Sequence, residues 1–340
     1  MRVFLALLAA ALCGLLAACG NAGSTPPSQA ILGQPSPTPT PFNGHLYVEY
    51  ANPSVGVGAA SADGFAVYSL PLTAQSTPLF AVAQPVGPMA FDPSGNLFAI
   101  TQSNVISEFR FPFTANSTPS AVITSGAQTI PSFVTDIAFD TNGNLWAETA
   151  SDLRDFVPPI TAASTAQTIV SGGLNQLTID PSSGKAYAGN TALHFGATDT
   201  ILVYNFYPYT APPKSIGNAQ FSAPLGFYPD GTILISSTGA NVIQQIPGSI
   251  APPGLEVVNS LSSSLMVPYI IPFTVTNQAS LAHSAAIDQN GTTYILDGHL
   301  SNALDVFAFP MTQNSRPQFR IGCVPAAGMC QTPVGVYLGP

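Results

Sequence analysis

From residue 86 to residue 297 one pattern of apolar and polar positions recurs. VGPMAFDPSGNLFAIT (86–101), VTDIAFDTNGNLWAET (134–149), LNQLTIDPSSGKAYAG (174–189), PLGFYPDGTILISST (224–238) and HSAAIDQNGTTYILD (283–297) share one template. Each has a short apolar run, a polar break built on Asp-x-x-Gly or a close variant, and a second run alternating apolar with polar. Period-two alternation predicts half-buried strands, and the break is hairpin chemistry. The aspartate bonds the turn backbone, and glycine takes the positive-φ position. A third strand is expected at NVISEFRF (104–111), DTILVYNF (199–206), ANVIQQI (240–246) and NALDVFAF (302–309). A fourth is expected at SAVIT (120–124), AQTIV (166–170) and QFRIG (318–322).

A second motif stands between the third and fourth strands. It reads LPLTAQSTP (70–78), FPFTANSTP (111–119), PPITAASTA (158–166) and FPMTQNSRP (309–317), with shorter relatives YPYTAPP (207–213) and IPGSIAPP (246–253). Proline fixes φ and removes a backbone donor, which suits a turn at the outer rim of a sheet. Four short antiparallel strands repeated every 40–60 residues or so predict a β-propeller. The longest spacing implies an insertion in the fifth repeat, placed within 254–272.

The first repeat lacks its leading strand. HLYVEY (45–50), GFAVYSL (64–70) and PLFAVA (78–83) match strands two to four, and PVGVYLGP (333–340) resembles the missing first. The expected fold is therefore all-β: a six-bladed β-propeller of four-stranded antiparallel blades, closed by the C-terminal strand and spanning 43–340. Closure removes the free sheet edges of an open array.

Composition supports this. Charged residues make up 7% of the 340-residue chain, with 33 prolines, 29 glycines and a hydrophobic share of 46%. Lys185 and Lys214 are the only lysines, so no helix with a charged solvent face can be written, while strand formers are plentiful. The net charge of −9 and the scattered Arg2, Arg110, Arg154, Arg316 and Arg320 supply no phosphate-binding patch, which argues against nucleic acid as a partner. The protein is expected as a monomer.

The amino terminus, MRVFLALLAAALCGLLAACG, has one cation, a short apolar run and small residues at its end, and it reads as a signal peptide over 1–18. Leu16-Ala17-Ala18-Cys19 resembles a bacterial lipobox, which implies that Cys19 carries lipid and anchors the protein to the cell envelope. An ordinary signal peptide cut after an A-x-A-like site is the alternative. Residues 19–42 form a Gly/Ser/Thr/Pro tether that would hold a domain off the membrane surface. Gly20 after the cysteine resembles lipoproteins sent to an outer membrane. After export Cys323 and Cys330 remain, and an oxidising compartment with no further Cys or His nearby predicts a disulfide between them.

The (I/L/F)-D-x-x-G-N-(L/x)-(Y/W)-(V/A) core resembles NHL-type and gluconolactonase-like six-bladed propellers. Asp92, Asp140, Asp180 and Asp288 recur at the same place in four of the five turns, with Tyr228 in the fifth, as a turn requirement predicts and a single active site does not. Chemistry is expected where the repeat breaks, at the start of each innermost strand. There Asp136, Asn175, Gln176 and His283 contribute polar side chains toward one channel mouth as a candidate ligand-binding set. The resemblance implies a divalent cation such as Ca²⁺ in that place, held by Asp136, Asn175 and His283. One carboxylate with amides is a weak hard-cation set. The glutamate that gluconolactonase-like enzymes supply from their first inner strand has no match in VGVYLGP. A water-filled polar channel accounts for the same residues. His45, His194 and His299 lie in unrelated contexts, and no G-x-S-x-G, HExxH or P-loop motif is present. Two functions follow: an envelope binding or scaffold module with no catalytic residue and no cofactor, or a metal-dependent lactonase-like hydrolase.

Overall fold

The computed structural model describes residues 44–51, 63–101, 105–123, 134–149, 152–171, 175–190, 200–204, 213–216, 221–237, 254–259, 269–271, 285–297, 303–311, 315–326 and 329–340. All regular structure among them is strand. β1 (His45–Ala51), β2 (Gly64–Ser69) and β3 (Phe80–Val82) open the chain. Blade 2 is β4 (Met89–Phe91), β5 (Leu97–Thr101), β6 (Val105–Phe109) and β7 (Ser120–Ile123). Blade 3 is β8 (Val134–Phe139), β9 (Leu145–Thr149), β10 (Asp152–Phe156) and β11 (Gln167–Ser171). Blade 4 is β12 (Asn175–Ile179), β13 (Ala186–Asn190), β14 (Thr200–Tyr204) and β15 (Lys214–Ile216). Blade 5 is β16 (Phe221–Phe227), β17 (Thr232–Ser237), β18 (Gly254–Asn259) and β19 (Tyr269–Ile271). Blade 6 is β20 (Ala285–Ile287), β21 (Thr293–Asp297), β22 (Ala303–Phe307) and β23 (Phe319–Ile321). The chain ends with β24 (Val324–Ala326) and β25 (Met329–Gly339).

Five sheets are four-stranded meanders, and the sixth has the order β24-β25-β1-β2-β3. Blade 1 therefore takes its inner strand from the C-terminus, with Tyr47 opposite Tyr337 and Glu49 opposite Gly335. The Tyr47 hydroxyl donates to the Pro340 carbonyl at 2.9 Å, and His45 Nδ1 contacts the same oxygen. This is the expected ring closure, with β24 added as a fifth strand. A disulfide joins Cys323 to Cys330 across the β24–β25 hairpin, Cα atoms 5.3 Å apart.

The hairpin aspartates act as turn residues. Asp92 Oδ1 accepts from the amides of Ser94 and Asn96, both at 2.8 Å. Asp140 accepts in the same way from Asn142 and Asn144, and Asp288 from Asn290 and Thr292. Burial pushes the Asp180 carboxyl up, but hydrogen bonds from Ser183 and Ser182 outweigh it and hold the group below 3.8. Gly95, Gly143 and Gly291 follow with φ of 88°, 80° and 80°, a region L-residues rarely occupy.

The proline turns join third and fourth strands where the sequence places them in blades 1, 2, 3 and 6. Thr73, Thr114 and Thr161 each donate their amide to the serine three residues on, and each threonine carbonyl accepts that serine's amide. Leu70–Pro71, Phe111–Pro112, Pro158–Pro159 and Phe309–Pro310 are cis. Blade 5 departs from expectation. Its third strand is β18, not 240–246, so IPGSIAPP precedes that strand instead of following it, and 254–272 holds two strands of the blade. Residues 240–253 lie outside the described residues.

Because the strands alternate in direction, the 1–2 hairpins and 3–4 proline turns leave one face of the ring. The 2–3 and 4–1 connections leave the opposite face. Apolar cores lie between successive blades. Phe65, Leu97, Phe109 and Phe113 pack between blades 1 and 2; Ile106, Ile137, Leu145 and Phe156 between blades 2 and 3. Trp146, Leu177 and Tyr204 fill the gap between blades 3 and 4.

Candidate functional site

The inner strands begin at the face carrying the 4–1 connections, and β1 and β9 end there. Three ionisable side chains are brought together at that end. Glu49 comes from β1, Tyr337 from β25 and Asp136 from β8, and all three are buried. Glu49 stands opposite Gly335, and its Oε2 occupies the place that a Cβ on Gly335 would take, so the glycine lets the carboxyl cross the inner strand. The Tyr337 hydroxyl donates to Glu49, and the Met89 backbone of the next blade bonds the phenol. Glu49 Oε1 has no hydrogen-bond partner among the described residues.

Burial drives the electrostatics. It raises the Glu49 carboxyl well above its ordinary 4.5; the bond from Tyr337 opposes this and the Asp136 charge adds to it. Tyr337 is likewise pushed far up, by burial first and then by the charges of Glu49 and Asp136. The pair is thus a carboxyl and a phenol that both hold their protons more tightly than usual, beside an aspartate. Gly87 and Pro88 begin the inner strand between them and add no polar side chain. A carboxyl that keeps its proton can donate as well as accept, as a polar ligand requires.

Asp136 is fully buried at the junction of blades 3 and 4. Its Oδ1 accepts from the Ile137 amide at 2.6 Å and its Oδ2 from the Leu177 amide at 2.8 Å, tying two inner strands together. Glu148 pairs with Asp136 in register, and Asp155 pairs with Trp146 on the same face of the blade. Burial and the Glu148 charge both raise Tyr204 of the facing blade above its ordinary value. The backbone of Asn175 and Gln176 opens β12 as expected; their side chains, and all of His283, lie outside the described residues.

Among the described residues no three His, Cys, Asp or Glu side chains are grouped to hold a metal ion. Of the cation set the resemblance implies, Asp136 has both oxygens accepting from amides, and the side chains of Asn175 and His283 lie outside the described residues. Neither Glu49 nor Tyr337 stands at the polar breaks that open the inner strands: Glu49 comes from a second strand, and Tyr337 lies two residues inside β25 from Gly335. The readable signal was Glu49 itself, the one acid within the apolar strand HLYVEY.

The architecture is that of a β-propeller. Comparison with protein-family models and with characterised proteins returns no match. Among solved structures the fold is similar to TolB from Acinetobacter baumannii, with a TM-score of 0.53 at 12% identity, over 88% of this chain and 66% of that one. It is also similar to a gluconolactonase from Xanthomonas campestris (TM-score 0.50, 13% identity, 84% and 87% covered). A third neighbour is a protein of unknown function from Bacteroides caccae (0.51, 10%, 86% and 98%). The chain spans just under two thirds of the TolB length. At these identities the likeness is one of fold alone.

Proposed function

We propose that this protein is exported, lipid-anchored through Cys19 to the bacterial cell envelope, and acts there as a binding or scaffold module. The observation that carries the binding reading is the Glu49–Tyr337 pair: a buried acid, one of whose oxygens has no partner among the described residues, beside Asp136 at the inner-strand starts. A buried polar atom left without a partner is costly, and a ligand supplying a donor there recovers that cost. Asn175, Gln176 and His283 belong to the same strand starts by sequence and would extend the site. The fold likeness to TolB is compatible with an envelope role.

A second reading is favoured by the presence of two carboxyl groups, Glu49 and Asp136, and by the fold likeness to a protein described as a gluconolactonase. It is a metal-dependent hydrolase in which Asn175 and His283 complete the ligand set.

Two measurements on the full chain test these readings. Replacing Cys19 by Ser should release the protein from the membrane fraction; retention of the variant would defeat the anchor. Elemental analysis of the purified protein should find no stoichiometric divalent ion, and chelator should leave the melting temperature unchanged. An ion that copurifies and is lost in Asp136→Ala decides for the hydrolase.

A further inference from the structure

The exposed large hydrophobic residues among those described are Leu79, Phe111, Val157 and Phe309. All four sit at the proline turns. Phe111 and Phe309 open a turn, Val157 immediately precedes one and Leu79 immediately follows one. They occupy blades 6, 1, 2 and 3, which are consecutive around the ring, and they all lie on the hairpin face. Phe111 is 51% exposed and Leu79 57%. The exposed large apolar residues among those described thus all share one face, one to a blade in four consecutive blades.

The chain enters the propeller in the middle of this arc. The Gly44 carbonyl accepts from the Leu70 amide at 3.2 Å, and a Cβ on Gly44 would stand 2.8 Å from the Pro340 carbonyl carbon. Pro340 in turn lies beside Gly95, whose added Cβ would be 3.1 Å from Pro340 Cγ and 3.7 Å from Phe111 Cγ. Gly44 is thus flanked by the proline turns of blades 1 and 2. Residues 20–43 lead from there back to Cys19.

We propose that this hairpin face rests on the lipid bilayer, with Phe111, Phe309, Val157 and Leu79 entering the headgroup–acyl boundary and the opposite face turned outward. The proposal rests on the lipid anchor inferred above. A Gly/Ser-rich chain of this length spans roughly 25–30 Å as a coil and roughly 75 Å in polyproline II, lengths that permit contact as well as separation. Tethering raises the local concentration of the face at the bilayer into the millimolar range, where a patch too weak to bind alone stays engaged. Arg110, which pairs with Glu108 at 3.4 Å, and Arg316 are the cations in the arc, so contact with zwitterionic lipid is expected, with anionic headgroups adding to it.

The test uses the full lipidated chain in phosphatidylcholine vesicles with brominated acyl chains, and the single-site variants Phe111→Trp, Phe309→Trp and Asp63→Trp. Asp63 is exposed beside the 2–3 connection on the opposite face, and Trp146 is buried and gives a constant background. Added indole emission should be strongly quenched in Phe111→Trp and Phe309→Trp and unchanged in Asp63→Trp. Two independent hairpin-face variants guard against one that fails to fold. Vesicle flotation without quenching at either hairpin-face position overturns the docking and leaves the anchor standing, and equal quenching at all three positions does the same. If the unaltered chain does not float, the anchor reading falls and the docking with it. Shielding of both hairpin-face indoles from acrylamide without lipid, in protein eluting as a dimer, assigns the face to a second copy and overturns the proposal.

Discussion

Glu49 concentrates the unusual chemistry of this chain in one side chain. A carboxyl whose folded-state affinity for its proton is raised above 4.5 keeps that proton while the unfolded chain releases it. Below 4.5 both states are protonated and the group adds no pH dependence. Above 4.5 the unfolded state binds fewer protons, so stability falls with rising pH until the folded carboxyl also ionises. Glu49→Gln keeps the shape and removes the titration. The stability of the variant relative to the natural protein should therefore rise with pH from about 4.5 upward, approaching the one-proton limit of about 1.4 kcal/mol per pH unit. Urea unfolding at a series of pH values reads this directly. A constant difference between the two proteins from pH 4 to 8 would show that Glu49 is ionised in the folded state and would undercut the hydrogen-bonding site built on it.

The proline turn is the element that most repays comparison of pattern with structure. In FPFTANSTP the two phenylalanines are two residues apart and have opposite fates. Phe113 is buried against Tyr47, ring centroids 5.8 Å apart, whereas Phe111 lies over Gly95 and is half exposed. The equivalent third positions plug other seams: Leu72 between blades 6 and 1, Ile160 between blades 2 and 3, and Met311 between blades 5 and 6, where Tyr228 donates to its sulfur at 3.0 Å. Each of these four turns thus inserts one apolar side chain into the seam with the preceding blade, a role beyond protecting a sheet edge. Phe113→Ala should cost about 3–5 kcal/mol of unfolding free energy. Phe111→Ala in the same turn should stay within about 0.5 kcal/mol. Equal losses for the two variants would mean that the motif acts as a rigid unit rather than through its plug. The plug was not legible in the sequence, because both phenylalanines alternate with polar or turn residues and period two does not say which neighbour receives a side chain. The hairpin aspartates were legible, since their bonding is local to four residues. The Glu49–Tyr337–Asp136 cluster was not, because its members come from three strands in two blades and meet only through ring closure. The strand misplaced at 240–246 shows the same limit: an apolar run is visible locally, and its partner strand is not.

At the scale of the whole molecule, the ring depends on how its two ends are joined. Blades 2 to 6 are each continuous in sequence, so their strands find partners across short turns. Blade 1 must pair β25 with β1 across nearly the full chain, a closure with a large entropic cost in the unfolded state. Hydrogen bonds along β1 and β25 secure it, as do the contacts of Tyr47 and His45 with the Pro340 carbonyl. The Cys323–Cys330 disulfide acts just before this seam, fixing the β24–β25 hairpin that presents the closing strand. A bridge over so short a loop removes unfolded-state entropy worth about 2–3 kcal/mol in the chain-entropy account. Replacing both cysteines by serine should lower the unfolding free energy by about that amount. Because the closing strand is shared by every path round the ring, the loss should appear as one cooperative transition moved to lower denaturant with an unchanged slope. A second, earlier transition exposing only blade 1 would instead show that the seam opens on its own and that blades 2 to 6 stand without it. Following Trp146 fluorescence, which reports from between blades 3 and 4, alongside far-ultraviolet circular dichroism separates the two: coincident curves support closure as the common support of the ring, and an early dichroism loss with native fluorescence refutes it.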